Sequence, residues 1–398
     1  MNTQNTRLFF IDSMRAWAIL MMLQGHFVDG LLDPVFRDTG NGIFSTWSYF
    51  RGITAPVFFT VSGFIFTFLL IRVPQKGLEN PRVRKGIRRG LQLLFIGYLL
   101  RMNLFGLFKG EIYDSFYLVD VLHCIGMSIL SIVGIYLLTA KKNSYVLPLT
   151  LTGLTLLLFL FEPVYKQWGF EFLPMAMANY FTKANGSVFT IIPWVGYTAI
   201  GGVLSILFYK YRESKLLYPK AIGLALMAGS VLIFFSSDVF VWMYEQTSIA
   251  LFQMISLNNY LFIRLGDVLV VFAIFMLLRK FMANKTVLKI GANTLSIYVI
   301  HFIVLYGSFT GLGLYRFFHH QLSPVLIIPT ALIFVIACTY LALLYDKHEE
   351  ALKLKLNASL VLGKSQLTIL QKEATPILKE LVARLKGLVE RIFGVIRN

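Results

Sequence analysis

Long apolar runs dominate the chain, and the polar residues between them fall in short groups rather than at regular intervals. Ala55 to Ile71, Gly90 to Leu100, Leu216 to Phe235 and Val268 to Leu278 are typical runs. With its weakly polar flanks, each reaches the ~20 residues that cross a bilayer core as a helix. Ten such segments are predicted: Phe9–Leu32, Ile53–Ile71, Ile87–Phe108, Phe116–Ala140, Tyr145–Phe161, Ser187–Tyr209, Leu216–Phe235, Leu261–Phe281, Leu288–Gly311 and Leu322–Tyr345. No stretch of ~10 residues alternates apolar with polar positions, which argues against a β-barrel. The expected fold class is therefore all-α, a polytopic membrane helical bundle of about ten transmembrane helices.

Two segments depart from this pattern. The stretch from Asp238 to Asn259 is long enough for an interfacial or re-entrant helix, and its Trp242, Tyr244 and Phe252 suit the headgroup layer. After Tyr345 the apolar positions take helical spacing, from Leu370 through Leu381, Leu385 and Leu388 to Ile396. Lys379, Arg384, Lys386 and Arg391 lie largely opposite, and Thr375-Pro376 reads as an N-cap with a first-turn proline. The organisation expected is a transmembrane domain over residues 1–345 and a cytoplasmic amphipathic helical tail over 346–398. The tail suits the surface of the membrane lipid or, alternatively, a self-association contact that would make a homo-oligomer.

Composition and charge sharpen the picture. Of 398 residues 57% are hydrophobic and 14% charged, and the mean hydropathy is +0.69. A soluble domain is about a quarter charged, so this chain lacks the polar surface to face water all round. The formal net charge of +17 does not point to nucleic acid, because the cations sit in short loops. Alternate loops hold seventeen Lys and Arg, among them Arg72, Lys141, Arg212 and Lys280; the remaining loops hold only Arg37, Lys109, Lys166, Lys183 and Arg316. That bias places the first set and both termini in the cytoplasm. The segment after Arg7 carries Asp12 and Arg15 and no small-residue cleavage site, so it is expected to be a permanent first span. A bacterial inner membrane is the expected location. Cys124 and Cys338 fall inside apolar spans and are expected to be buried thiols.

Polar side chains inside a span are where function is sought, since a charge at the span centre costs at least ~2.5–3.5 kcal/mol. The first span holds Asp12, Arg15, Gln24, His26 and Asp29. Eleven residues separate Arg15 from His26, about 20° from a common face and roughly 16 Å along the axis. Asp29, three residues beyond, is placed to orient the His26 ring. Taken singly, Arg15 also fits a snorkelling cation and His26 an interhelical hydrogen bond; their alignment favours a lined cavity. Asp120 with His123, His301, and Asn258 near the outer end of the eighth span are further candidates. Each is equally suited to fixing helix packing. There is no metal-ligand spacing, P-loop, Gly-x-Ser-x-Gly or dinucleotide fingerprint, so no metal is expected.

Arg15 and His26 stand as Arg-x10-His in the first span. The second span reads Phe58-Phe59-Thr60-Val61-Ser62-Gly63-Phe64, and the ninth Leu295-Ser296-Ile297-Tyr298-Val299-Ile300-His301. Together these resemble acyltransferase family 3 and the wider transmembrane acyltransferase superfamily. Ala55-Pro56-Val57-Phe58, Asp120 to Gly126 and Pro193-Trp194-Val195-Gly196-Tyr197 resemble its heparan-α-glucosaminide N-acetyltransferase branch. The resemblance reaches about Tyr345. It implies transfer of an acyl group from cytoplasmic acyl-CoA, acetyl-CoA first, to an extracytoplasmic sugar or glycan, possibly the amine of a glucosamine.

By that resemblance His26 is the catalytic histidine, assisted by Asp29, and Arg15 helps to bind the donor. Arg84, Lys85 and Arg88 resemble the family's basic motif, with Lys85-x-x-Arg88 where Arg-x-x-Arg is usual. Asp120, His123, Asn258 and His301 are the candidate acceptor contacts. A neutral imidazole could remove the acceptor's proton or carry the acyl group itself. The alternative function is a secondary transporter using the Arg15, His26 and Asp29 stripe, although paired discontinuous helices in two halves are not evident.

Overall fold

The computed structural model describes residues 8–354, together with 358, 359 and 376. Compactness divides the chain into Met1–Ala342 and Leu343–Asn398. The first unit is helical throughout its core, and its described residues hold only two isolated β-bridges. The amphipathic helix expected beyond Leu367 lies outside the described residues, apart from Pro376.

Each of the ten expected segments overlaps a helix, the ninth a bent pair of them. They are α1 (Phe9–Leu31), α2 (Gly42–Ile71), α3 (Pro81–Arg101), α4 (Val121–Thr139), α5 (Val146–Leu160), α6 (Ile191–Lys210) and α7 (Leu217–Phe234). After α8 (Ser236–Thr247) and α9 (Ala250–Leu257) come α10 (Tyr260–Leu277), α11 (Lys285–Ala292), α12 (Thr294–Tyr306) and α13 (Pro324–Leu354). Among the described residues six helices are long and apolar enough to cross a membrane, and a seventh span is the pair α11–α12, bent by 69°. The other three expected spans fall short for visible reasons. Asp12, Arg15, Gln24, His26 and Asp29 make α1 too polar, α3 opens on Arg82, Arg84, Lys85, Arg88 and Arg89, and α5 has 15 residues.

The polar helix α1 sits inside the bundle, where α2, α10, α11 and α12 surround it. Met14, Ala18, Ile19 and Leu23 of α1 are fully buried. Protein rather than lipid therefore faces its charged residues, the condition under which a membrane bundle tolerates them. The chain elsewhere stops and starts its helices with asparagine. Asn41, Asn80 and Asn284 each accept hydrogen bonds from free N–H groups of the first turn. Buried Asn80 also donates to the Leu70 carbonyl at 2.9 Å and to Tyr136 Oη at 3.1 Å, binding the turn between α2 and α3 to α4.

Small residues set the closest crossings. A Cβ on Gly63 of α2 would lie 1.9 Å from the Thr198 carbonyl oxygen, and one on Gly201 of α6 would lie 1.9 Å from that of Thr60. Backbone contact of this kind is available only to glycine. Gly229 and Gly266 bring α7 and α10 together in the same way.

At one end of the bundle two short backbone bridges knit the loops. Leu104 donates to the Phe309 carbonyl at 2.8 Å and Phe309 to that of Met102 at 3.0 Å; Leu322 and Asp33 likewise join the ends of α1 and the approach to α13. Gly307, at φ +72°, closes α12 so that the loop can turn back to this bridge. The seventeen-cation loops lie at the opposite end, after α2, α4, α6 and α10.

Candidate active site

The bridged end holds a cavity of about 690 Å³. It is lined by the last turns of α1 and α3, by the later turns of α12, by the starts of α4 and α6, and by the middle of the longer α2. Its location is the end away from the basic loops. Pro56 contributes to its shape: the proline has no N–H to return to the Gly52 carbonyl, and Gly52 lines the cavity.

His26 lies in the wall, on the penultimate turn of α1. Its Nδ1 is 3.1 Å from Nε2 of His301, and the two rings are 5.3 Å apart between centroids. His301 is fully buried on α12, with the Tyr298 ring 4.8 Å away. Its Nδ1 turns back towards the carbonyls of Ile297 and Tyr298, one turn earlier, without reaching full hydrogen-bond geometry. Tyr298 and Tyr306 complete this wall.

Asp29 does not orient the His26 ring, as the spacing had suggested. Its carboxylate forms an ion pair with Arg51, from the first half of α2. A guanidinium satisfies a carboxylate through two charge-assisted N–H donors, which a neutral imidazole cannot match. The ring partner of His26 is another imidazole, from a helix 275 residues away.

Across the cavity Arg101 ends α3 and holds Asp120, the N-cap of α4. Nε and Nη2 donate to Oδ2 and Oδ1 at 2.6 and 2.7 Å, and Nη1 donates to the Ser115 carbonyl at 2.9 Å. Asp120 and His123 meet through a reciprocal cap. The Asp120 side chain accepts from the backbone at His123, and His123 Nδ1 accepts from the Asp120 N–H at 3.1 Å. His123 is thus buried behind Asp120 and does not line the cavity. Lys183, from the loop between α5 and α6, supplies a third cation at the rim.

The remaining candidates are elsewhere. Arg15 is outside the cavity; it donates to Thr294 Oγ1 at 3.0 Å and lies 3.9 Å from Asp12. The stripe joining it to His26 therefore has only its His26 end in the cavity. Arg84, Lys85 and Arg88 are exposed on the first turns of α3, roughly 20–25 Å along the helix from Arg101. Asn258 is exposed and away from the cavity, and its neighbour Asn259 is bound to Ser236 and Ser237. A second polar cluster lies behind Gly52. Tyr49 donates to Asp267 at 2.6 Å, Arg264 pairs with Asp267 at 2.9 Å, and the Arg264 guanidinium covers the Tyr49 ring.

Arg51, Arg101 and Tyr306 were not singled out from the sequence, and Lys183 and Tyr298 figured there only as a loop cation and as part of a motif, not as site residues. Arg101 lies inside an expected span, and an intramembrane cation is itself the signal that could have found it. Arg51 sat just before an expected span and was invisible on that criterion.

No group of three or more metal-ligating side chains occurs among the described residues. An imidazole in the cavity wall, backed by a second buried behind it and accompanied by guanidinium groups paired with carboxylates, is suited to moving a proton beside developing negative charge. None of the curated proteins compared matches the chain. The family described as an acyltransferase domain, acyltransferase family 3, matches residues 8–344, from the first helix almost to the end of the bundle unit. The chain belongs to this acyltransferase family, as an integral, multi-pass helical membrane protein.

Proposed function

We propose that the protein transfers an acyl group, acetyl first among donors, from cytoplasmic acyl-CoA to a hydroxyl or amine of an extracytoplasmic saccharide, with His26 as the base. The observation that carries this reading is the His26–His301 pair, with His26 in the cavity wall and His301 buried behind it, at the end remote from the basic loops. His301 with its proton on Nδ1, towards the Ile297 and Tyr298 carbonyls, has Nε2 free to accept. His26 then donates from Nδ1, and its Nε2 keeps a lone pair. That atom can take the acceptor's proton as the acceptor oxygen or nitrogen attacks the thioester carbonyl. The proton moves to the departing thiolate as the carbon–sulfur bond breaks, so charge balances over the cycle.

Arg101 and Arg51, each fixed by a carboxylate, supply positive charge where the oxyanion of the tetrahedral intermediate develops. Arg15 and the Arg84, Lys85 and Arg88 group meet the donor's phosphates at the basic end. The test is incubation of detergent-purified protein with radiolabelled acetyl-CoA, with and without saccharide, comparing wild type with His26→Ala. Acetylated saccharide or slow acetyl-CoA hydrolysis, lost in the variant, is the expected result. Absence of both turnover and acetyl-CoA binding in the wild type would sink this reading.

A further inference from the structure

The charges around the cavity constrain what it accepts. Five formally charged side chains line it: Asp29, Arg51, Arg101, Asp120 and Lys183. Two cations are already matched, Arg51 by Asp29 and Arg101 by Asp120. Both carboxylates are paired, Asp29 with Arg51, and Asp120 by two short bonds from one guanidinium and by the cap of α4. Lys183 differs. No carboxylate lies within ion-pair distance of its ammonium among the described residues, and the sum over the lining is one positive charge.

From this distribution we infer that the acceptor carries an anionic group, a carboxylate or phosphate on the saccharide, which Lys183 binds at the rim of the cavity. The inference rests on the acyl-transfer reading and narrows its acceptor. A protonated amino sugar would meet a lining with no free carboxylate and a surplus cation, and it would have to lose its proton before it could attack. A neutral sugar would leave the exposed Lys183 ammonium to water alone. An anion-bearing glycan places its charge against Lys183 and brings a hydroxyl towards His26 Nε2.

The surroundings of Lys183 agree. Although Lys183 is exposed at the rim, partial desolvation, and then the Lys166 ammonium, pull its pKa below the ordinary lysine value, and Glu162 opposes this. Glu162 is itself held by Lys166 at 3.4 Å and by Tyr260 Oη at 3.2 Å. An arriving anion would favour the charged ammonium, so binding and protonation reinforce each other.

The test is equilibrium binding to the purified full chain, which requires no turnover. The probes are a glucuronate-containing oligosaccharide, glucose 1-phosphate, a neutral glucose oligosaccharide and a glucosamine oligosaccharide. Wild type is compared with Lys183→Gln and Lys183→Glu, whose unchanged melting temperatures would show that the fold is kept. The expected result is that one or both anionic probes bind tightest, that salt weakens them, and that Lys183→Glu loses about tenfold in their affinity with little change for the neutral probe. Preference for the glucuronate probe over the phosphate, or the reverse, identifies which anion the acceptor bears. Equal or tighter binding of the neutral or amino sugar, no binding of any probe, or an anion affinity indifferent to Lys183→Glu would each overturn the inference. Anion binding with neither acetyl transfer nor acetyl-CoA binding would overturn the acetyl-CoA reading instead.

Discussion

The two imidazoles of His26 and His301 share one proton position, and that sharing decides which nitrogen faces the acceptor. In the proposed reaction His301 acts only through His26, which makes it a positioning residue. His301→Ala is expected to lower turnover about 10²–10⁴-fold with acetyl-CoA affinity kept. His301→Gln, whose amide can still accept from His26 Nδ1, should recover part of the loss. Equal losses in the two variants would show that His301 only fills space. The Arg101–Asp120 pair makes a different prediction, because the two side chains are only 14% and 13% exposed. Asp120→Ala strands a buried guanidinium and should cost about 3–5 kcal/mol in unfolding measurements, whereas replacing both residues with apolar ones should restore much of the stability. His26 was legible in the sequence because a histidine in an apolar run is conspicuous. Its pairing with His301 was not, although His301 was itself a candidate: three-residue spacing pointed to Asp29, and the competing guanidinium of Arg51 becomes visible only when α2 is folded beside α1.

Helix existence was the most legible level, because each long apolar run leaves the chain little alternative inside a bilayer. Helix limits were less so. The second expected span began at Ile53, but α2 begins at Gly42, since the Asn41 cap adds the Trp47 to Arg51 turns that carry Arg51 to the cavity. The ninth expected span ran unbroken from Leu288 to Gly311, and the bend at Asn293 interrupts it. Hydropathy averages over such a break, and a single asparagine among apolar residues does not reveal it. Crossing geometry gives the prediction proper to this scale. Gly63→Val or Gly201→Val would drive a side chain into a facing carbonyl, and either should destabilise the bundle by at least about 1–3 kcal/mol, read as a lower melting temperature. Gly134→Ala on α4, with nothing within 4 Å, should leave it unchanged and serves as the control.

Across the whole molecule, the cavity and the basic loops mark opposite ends. If the basic loops are cytoplasmic, Asn185→Cys in the loop beside Lys183 should react with a membrane-impermeant maleimide in intact cells. Ser214→Cys, between α6 and α7, should react only after lysis; the native Cys124 and Cys338 are buried and need not be removed. The reverse pattern would invert the topology and, with it, the direction of the proposed transfer. The interval of roughly 16 Å along α1 between Arg15 and His26 then acts as a ruler. A donor whose phosphates stay at the basic end must carry its reactive carbon on a slender arm of that length. Activation alone is not enough. Acetyl phosphate, reactive but armless, should acetylate nothing here, while a donor that keeps the pantetheine chain and loses part of the nucleotide should bind weakly and still transfer.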